Sequence, residues 1–235
     1  MLLGALTEER FERVSMELTG GRNLTVENHR LSRSDTDYRL MNGLGKPVCR
    51  INIKFHGTLF RQALDRVGLD PQDCFPLATY KIHSALKRQD EERLPYVFLV
   101  LSVSDLTAGS VAHTIPDELV WFLSTVRGKR DVEEAIVTRL KKADYQDSLR
   151  EVRTRVGQGD FRVISARRAN NLLREKLFER VFALRQRGFT RAYANAEIDM
   201  HFSLSGEMTA LSEFLAMFAQ ESLQVLAVRL DRGEI

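Results

Sequence analysis

Residues 96–103 read Tyr-Val-Phe-Leu-Val-Leu-Ser-Val, an apolar run without alternation. A strand with one wet face would carry polar residues at every second position, so this segment predicts a strand covered on both faces. Amphipathic helical patterns elsewhere in the chain supply the cover. At 7–18, Phe11, Val14, Met16 and Leu18 stand among charges; at 76–92, Ala78, Ile82, Ala85 and Leu86 form a stripe. A third pattern, 166–187, brings Leu172, Leu173, Leu177, Val181 and Leu184 to one face. The fold class that follows is α/β, a sheet held between helices.

A second constraint lies upstream. Strands are predicted at 36–41 and 47–56, joined across Asn42-Gly-Leu-Gly-Lys-Pro. In the longer one Ile51, Ile53 and Phe55 point one way, while Arg50, Asn52, Lys54 and His56 point the other. Asp37 precedes Asn52 by 15 residues, on the neighbouring strand, with Asp35 and Arg39 beside it. An acid on one strand facing Asn-x-Lys on the next suits a metal and phosphate site. The competing account makes Asp37 and Arg39 a surface pair, Lys54 an edge-strand guard and Asp35 a turn cap.

The remaining pattern predicts a strand near 24–31, a short helix at 58–67, and Pro76 as the opening of the 76–92 helix. Beyond residue 110 it predicts helix at 117–126 and 131–155, strands at 161–165 and 196–204, a helix at 207–220 and a final strand at 222–230. Glu197, Asp199 and His201 share a face of the 196–204 strand and are transition-metal ligand types. Alternate positions lie about 6–7 Å apart along a strand, so a solvent-facing polar row explains them more simply.

Charge is unevenly spread. The 235-residue chain is formally +3, yet Arg127–Arg191 holds 18 Lys/Arg against 9 Asp/Glu, and the rest 17 against 23. A block at +9 can neutralise phosphates, with Arg167 and Arg168 among the contacts, unless it is merely a helix face whose charges pair three or four residues apart. No apolar run approaches the roughly 18 residues of a membrane helix, and the opening Met-Leu-Leu-Gly-Ala-Leu-Thr-Glu-Glu-Arg turns charged too soon for a secretory signal. Two cysteines, Cys49 and Cys74, fit neither a zinc site nor a disulfide framework, so a cytoplasmic setting is expected.

The order helix–three strands–helix–strand, with an acid on the second strand and x-x-Lys on the third, resembles the PD-(D/E)XK (restriction endonuclease-like) nuclease superfamily. Arg10-Phe11-Glu12-Arg13-Val14 is similar to the Phe-Glu helix of its Mrr-like branch. The resemblance covers roughly residues 5–105. It implies a mixed sheet between helices in a core of residues 1–110, with 111–235 a basic helical and α+β extension whose terminal strand–helix–strand unit either completes the same sheet or builds a dimer interface. It also implies Mg²⁺- or Mn²⁺-dependent hydrolysis of nucleic-acid phosphodiesters, DNA before RNA, in restriction or defence. By position, Asp37 would be the metal-binding aspartate, Lys54 the catalytic lysine and Glu12 the helix acid. Asn52 stands where the family has Glu or Asp, so the metal set of Asp37, Asn52 and Glu12 is one charge short. His56 and Lys81 would meet phosphate, and cutting both strands of a duplex would call for a homodimer. The alternative is a catalytically degenerate module that binds nucleic acid or a partner protein.

Overall fold

The computed structural model describes residues 2–29, 36–56, 62–103, 153–154, 156–186 and 199–235. Its spine is a six-stranded mixed sheet. Three strands, β1 (Leu24–Asn28), β2 (Tyr38–Asn42) and β3 (Pro47–His56), form an antiparallel meander. After the helix α1 (Leu2–Thr19) has opened the chain and the short α2 (Ala63–Val67) has followed β3, the strand β4 (Cys74–Ala78) leads into α3 (Thr79–Glu92). That crossover returns the chain as β5 (Tyr96–Ser102), parallel to β3. β6 (Asp160–Ser165) pairs antiparallel with β5, and the two-residue β8 (Thr209–Ala210) closes that side. The sheet order is β1-β2-β3-β5-β6-β8, so residues 160–165 and 209–210 extend the same sheet that residues 24–102 begin.

The two faces of β5 sort the core. Val97, Leu99 and Leu101 pack with Tyr38, Leu40, Cys49 and Ile51 beneath α1, α5 (Leu211–Gln220) and α6 (Leu223–Arg232). Phe11 of α1 lies edge-on to both Tyr38 and Phe161, with centroids 4.9 and 5.8 Å away. On the other face Tyr96, Phe98 and Val100 pack with Ile82, Ala85 and Leu86 of α3 and with Ala166, Ala169 and Leu173 of α4 (Ala166–Gln186). A separate antiparallel ribbon of β4 and β7 (Asp199–Ser203) joins this second layer. The expected layering, helices on both faces of a mixed sheet, is therefore present, and both cysteines are buried free thiols.

Three elements differ from the sequence reading, the smallest being Thr209–Ala210, which pair as β8 where a helix from 207 was expected. Pro76 does not open a helix: it sits inside β4, and α3 starts at Thr79. Proline lacks a ladder donor, and a two-stranded ribbon, all edge, tolerates it. The expected strand at 222–230 is helix α6. Ser222 caps it by accepting from Val225 N–H at 3.3 Å, Leu226 and Leu230 are fully buried, and Gly233 ends it at φ 75°. A Cβ on Gly233 would also lie 2.8 Å from Arg168 N, so the α6 terminus abuts α4 closely. The predicted helix at 117–126, nearly all of that at 131–155, and residues Asp35 and Glu197 lie outside the described residues.

Candidate active site

The site grows from the end of the β2–β3 ladder. The register sets Tyr38 opposite Ile51, which puts Asp37 beside Asn52, just before β2 begins. There the Asp37 carboxylate takes over from the backbone. Its Oδ2 accepts from Ile53 N–H at 2.7 Å and from Asn52 Nδ2 at 2.9 Å. The other end of the Asn52 amide, Oδ1, accepts from the Lys54 ammonium, which also donates to the Ile53 carbonyl at 3.2 Å. Asp37, Asn52 and Lys54 thus form one hydrogen-bonded chain on the face of the sheet that α3 covers.

Burial pushes the Lys54 ammonium down from its ordinary 10.5 to about 8; Asp37 pulls the other way, and Lys81 on α3 adds to the depression by like-charge repulsion. Lys81 is itself exposed. The phenol of Tyr96, on β5, is raised to about 12, by burial first and the Asp37 charge second, against the guanidinium groups of Arg88 and Arg50. Asp37 therefore lies within electrostatic reach of Lys54 and Tyr96, with Lys81 and Arg88 along the helix side.

Arg50 anchors the other end of this face. It is 4% exposed; its Nε donates to Glu92 Oε2 at 2.6 Å, its second terminal nitrogen meets the same oxygen, and a third contact reaches Thr36 Oγ1 at 3.4 Å. The pair ties β3 to the last turn of α3, while Lys81, whose charge is felt by Lys54, lies in the first turn of that helix.

Other expected members are placed elsewhere. Glu12 Oε1 accepts from Tyr38 Oη at 3.0 Å and Asn28 Nδ2 at 2.8 Å, on the α1 face of the sheet, across from Asn52 and Lys54. His56 shares the Lys54 face but is 6% exposed, its ring edge-on to Phe75 at 5.7 Å; burial lowers its pKa, and Nε2 has no hydrogen-bond partner among the described residues. Arg167 pairs with Asp90 at 2.7 Å and Asp231 at 3.5 Å, and Arg168 Nε donates to the Glu207 carbonyl at 3.0 Å. Both arginines tie α4 to neighbouring elements, and no contact described for either reaches Asp37, Asn52 or Lys54. On β7, Asp199 and His201 point away from the buried Met200 and Phe202.

No protein-family model matches the chain, nor does any curated protein or solved structure. The reading of the site rests on its own chemistry. Among the described residues no group of three or more His, Cys, Asp and Glu side chains is arranged to hold a metal. What the site offers is oxygen: the Asp37 carboxylate, Asn52 Oδ1 and the Ile53 carbonyl, the last two converging on the Lys54 ammonium. Hard oxygen donors are the kind Mg²⁺ takes, and it commonly binds through one or two carboxylates plus substrate phosphate. The donor chemistry fits, at the low end of charge. The sequence pattern places Arg50 on the polar face of its strand, Arg88 on the helix surface and Tyr96 in the apolar run, and gives none of the three a role in the site. Arg88 and Glu92 follow Lys81 by seven and eleven positions, a helical spacing that would have put all three on one edge.

Proposed function

We propose that this chain is a metal-dependent nuclease of the restriction-endonuclease-like type, hydrolysing phosphodiesters of DNA in preference to RNA, in a restriction or defence role. The observation that carries the reading is the Asp37–Asn52–Lys54 chain at the end of β2 and β3. The order α1-β1-β2-β3-α2-β4-α3-β5, which adds a short helix and the ribbon strand β4 to the expected helix–three strands–helix–strand, and the mixed sheet between helical layers support it. Asp37, with Asn52 Oδ1 and the Ile53 carbonyl, would hold Mg²⁺ or Mn²⁺, whose chemistry is to polarise a phosphoryl oxygen and acidify bound water.

The chain's own residues then have distinct tasks. Lys54, half-buried, holds a cation where charge develops on the phosphate, in surroundings drier than bulk water, which strengthens its effect. Asn52 orients Lys54 by accepting its hydrogen bond and orients Asp37 by donating to it. Ile53 N–H keeps the aspartate fixed from the backbone side. Lys81, exposed across from Lys54, meets a phosphate of the incoming strand. A second reading, nucleic-acid or partner-protein binding without hydrolysis, is favoured by two facts: both ends of the Asn52 amide are occupied by its neighbours, and among the described residues the site carries a single carboxylate.

Incubating the purified protein with linear, circular and single-stranded DNA and with RNA, in Mg²⁺ or Mn²⁺, decides between them. Metal-dependent cutting by the wild type, abolished in Asp37→Asn and Lys54→Met, is the expected result. Binding without cutting by a folded wild type would favour the second reading.

A further inference from the structure

On α3 itself Lys87 and the acids Asp90, Glu91 and Glu92 are matched; the exceptions within the helix are Lys81 and Arg88, and Arg93 at its C-cap is likewise unmatched among the described residues. Lys87 pairs with Glu91 at 3.8 Å, Arg50 with Glu92, and Arg167 with Asp90. Among the described residues, Lys81 and Arg88 enter no ion pair. The two are seven residues apart, two helical turns or about 10 Å along the axis, which suits separate phosphates better than one. They share the helix edge that carries Glu92, the edge turned to β3, where Glu92 meets Arg50. Lys81 acts electrostatically on Lys54, and Arg88 acts on Tyr96, on which Asp37 acts too. The unmatched cations therefore bracket the Asp37–Asn52–Lys54 chain from its helix side.

At the Lys81 end stands Tyr80, 48% exposed in the first turn of α3, with the Lys81 ammonium 5.9 Å from its ring centroid. An exposed aromatic ring beside a phosphate-binding cation is the pairing that single-stranded nucleic-acid sites use: the cation follows the backbone and the ring stacks a base. In a duplex the base faces are covered by their neighbours, so a ring beside the backbone finds none to stack on.

We infer that the site takes single-stranded nucleic acid, or the frayed end of a duplex, laid along α3 with its phosphates on Arg88 and Lys81 and one unpaired base stacked on Tyr80. This rests on the proposed function and narrows its substrate class. The strand crosses the Asp37–Asn52–Lys54 chain between the two cations, which sets a path running along the helix rather than across it.

The test is equilibrium binding by fluorescence anisotropy, in EDTA so that cutting plays no part, with fluorescein-labelled single-stranded and duplex 12-mers of DNA and RNA. The wild type is expected to prefer the single strand. Tyr80→Ala should weaken single-strand binding about tenfold, with Tyr80→Phe restoring it, because stacking needs the ring and not the hydroxyl. Arg88→Ala and Lys81→Ala should each reduce the slope of log K against log salt by about 0.7, one phosphate apiece. Tyr80 is exposed, so its variants should keep the wild-type melting temperature. Equal binding by Tyr80→Ala and the wild type, an unchanged salt slope in Arg88→Ala, or a duplex preference would each overturn the inference. If the wild type nevertheless cuts duplex DNA with dependence on Asp37 and Lys54, the nuclease reading survives that failure. Absence of any nucleic-acid binding would overturn both.

Discussion

Asn52 stands between an anion and a cation, giving its Nδ2 to Asp37 at 2.9 Å and its Oδ1 to the Lys54 ammonium. An amide can serve both at once, since it donates at one end and accepts at the other. A carboxylate in its place would still accept from Lys54 but would face Asp37 with like charge. The arrangement is self-satisfied without a metal, and a second acid would make it depend on one.

Asn52→Asp tests this directly. In EDTA the variant should melt below the wild type, because two carboxylates then share one site. Adding Mn²⁺ should reverse the order, with the metal bound about tenfold more tightly or better, since ligand charge tunes affinity for hard cations. Calorimetric titration alongside thermal melts reads both effects. A variant that melts like the wild type and binds Mn²⁺ no better would remove Asn52 from any metal set.

Lys54 predicts a pH dependence of stability. Its folded-state pKa of about 8 lies below the ordinary 10.5, so its charge is a burden on the folded state. Below about pH 8 both states carry the proton and the burden is complete. Between about 8 and 10.5 the folded state sheds its proton first, the unfolded chain holds more protons, and stability rises with pH. Lys54→Met should therefore be stabilising near pH 7, and its advantage over the wild type should shrink by about 1–2 kcal/mol by pH 10. Urea unfolding in EDTA at the two pH values measures it. A pH-independent difference would contradict the buried-charge account.

Glu12 occupies itself with Tyr38 and Asn28 on the α1 face. Glu12→Gln keeps an oxygen for both donors, so neither metal-dependent cleavage nor metal affinity should move by more than about twofold, a change of under 0.5 kcal/mol. A large fall in metal affinity would return Glu12 to the ligand set that the sequence pattern suggested.

Glu92→Ala should cost about 3 kcal/mol, the low end for stranding a buried charge, because Glu92 is 39% exposed and water can partly replace it. The loss is read in denaturant melts. Arg50→Met with Glu92→Ala removes the stranded guanidinium, so the double variant should recover part of that cost. Additive losses would show that the two residues stabilise the fold separately.

How much of this was readable beforehand varies with distance along the chain. The two-faced pattern of β3 and the unbroken run of β5 are local, and both strands formed where the pattern put them, the latter with its residues buried on both faces. The contact of Asp37 with Asn52 followed from two adjacent strands and a short turn. By contrast, Arg50 meets Glu92 across 42 residues and Gln89 donates to Asp231 across 142, separations over which sequence spacing carries no geometry. Pro76 and the Leu223–Arg232 run were misread for the opposite reason. Their local signals were real, a proline that starts helices and a Val/Leu-rich segment that suits strands, but tertiary partners overruled them. β7 gave Pro76 an edge to lie on, and the core beneath α6 took Leu226 and Leu230 at helical spacing.

The position of β6 has a bearing on how the molecule assembles. The meander from Leu24 to His56 joins strands only nine and four residues apart in sequence, so they meet at little entropic cost. β5, the most apolar strand, needs β6 on its open side, and 57 residues intervene between Ser102 and Asp160. Until that distant strand arrives, a fully apolar edge is exposed, which is the condition under which chains pair with one another. Pulsed hydrogen exchange during refolding should find the Tyr38–His56 amides protected before those of Asp160–Ser165. A fragment cut after residue 110 should aggregate, because the strand that shields its most adhesive surface lies in the half that was removed.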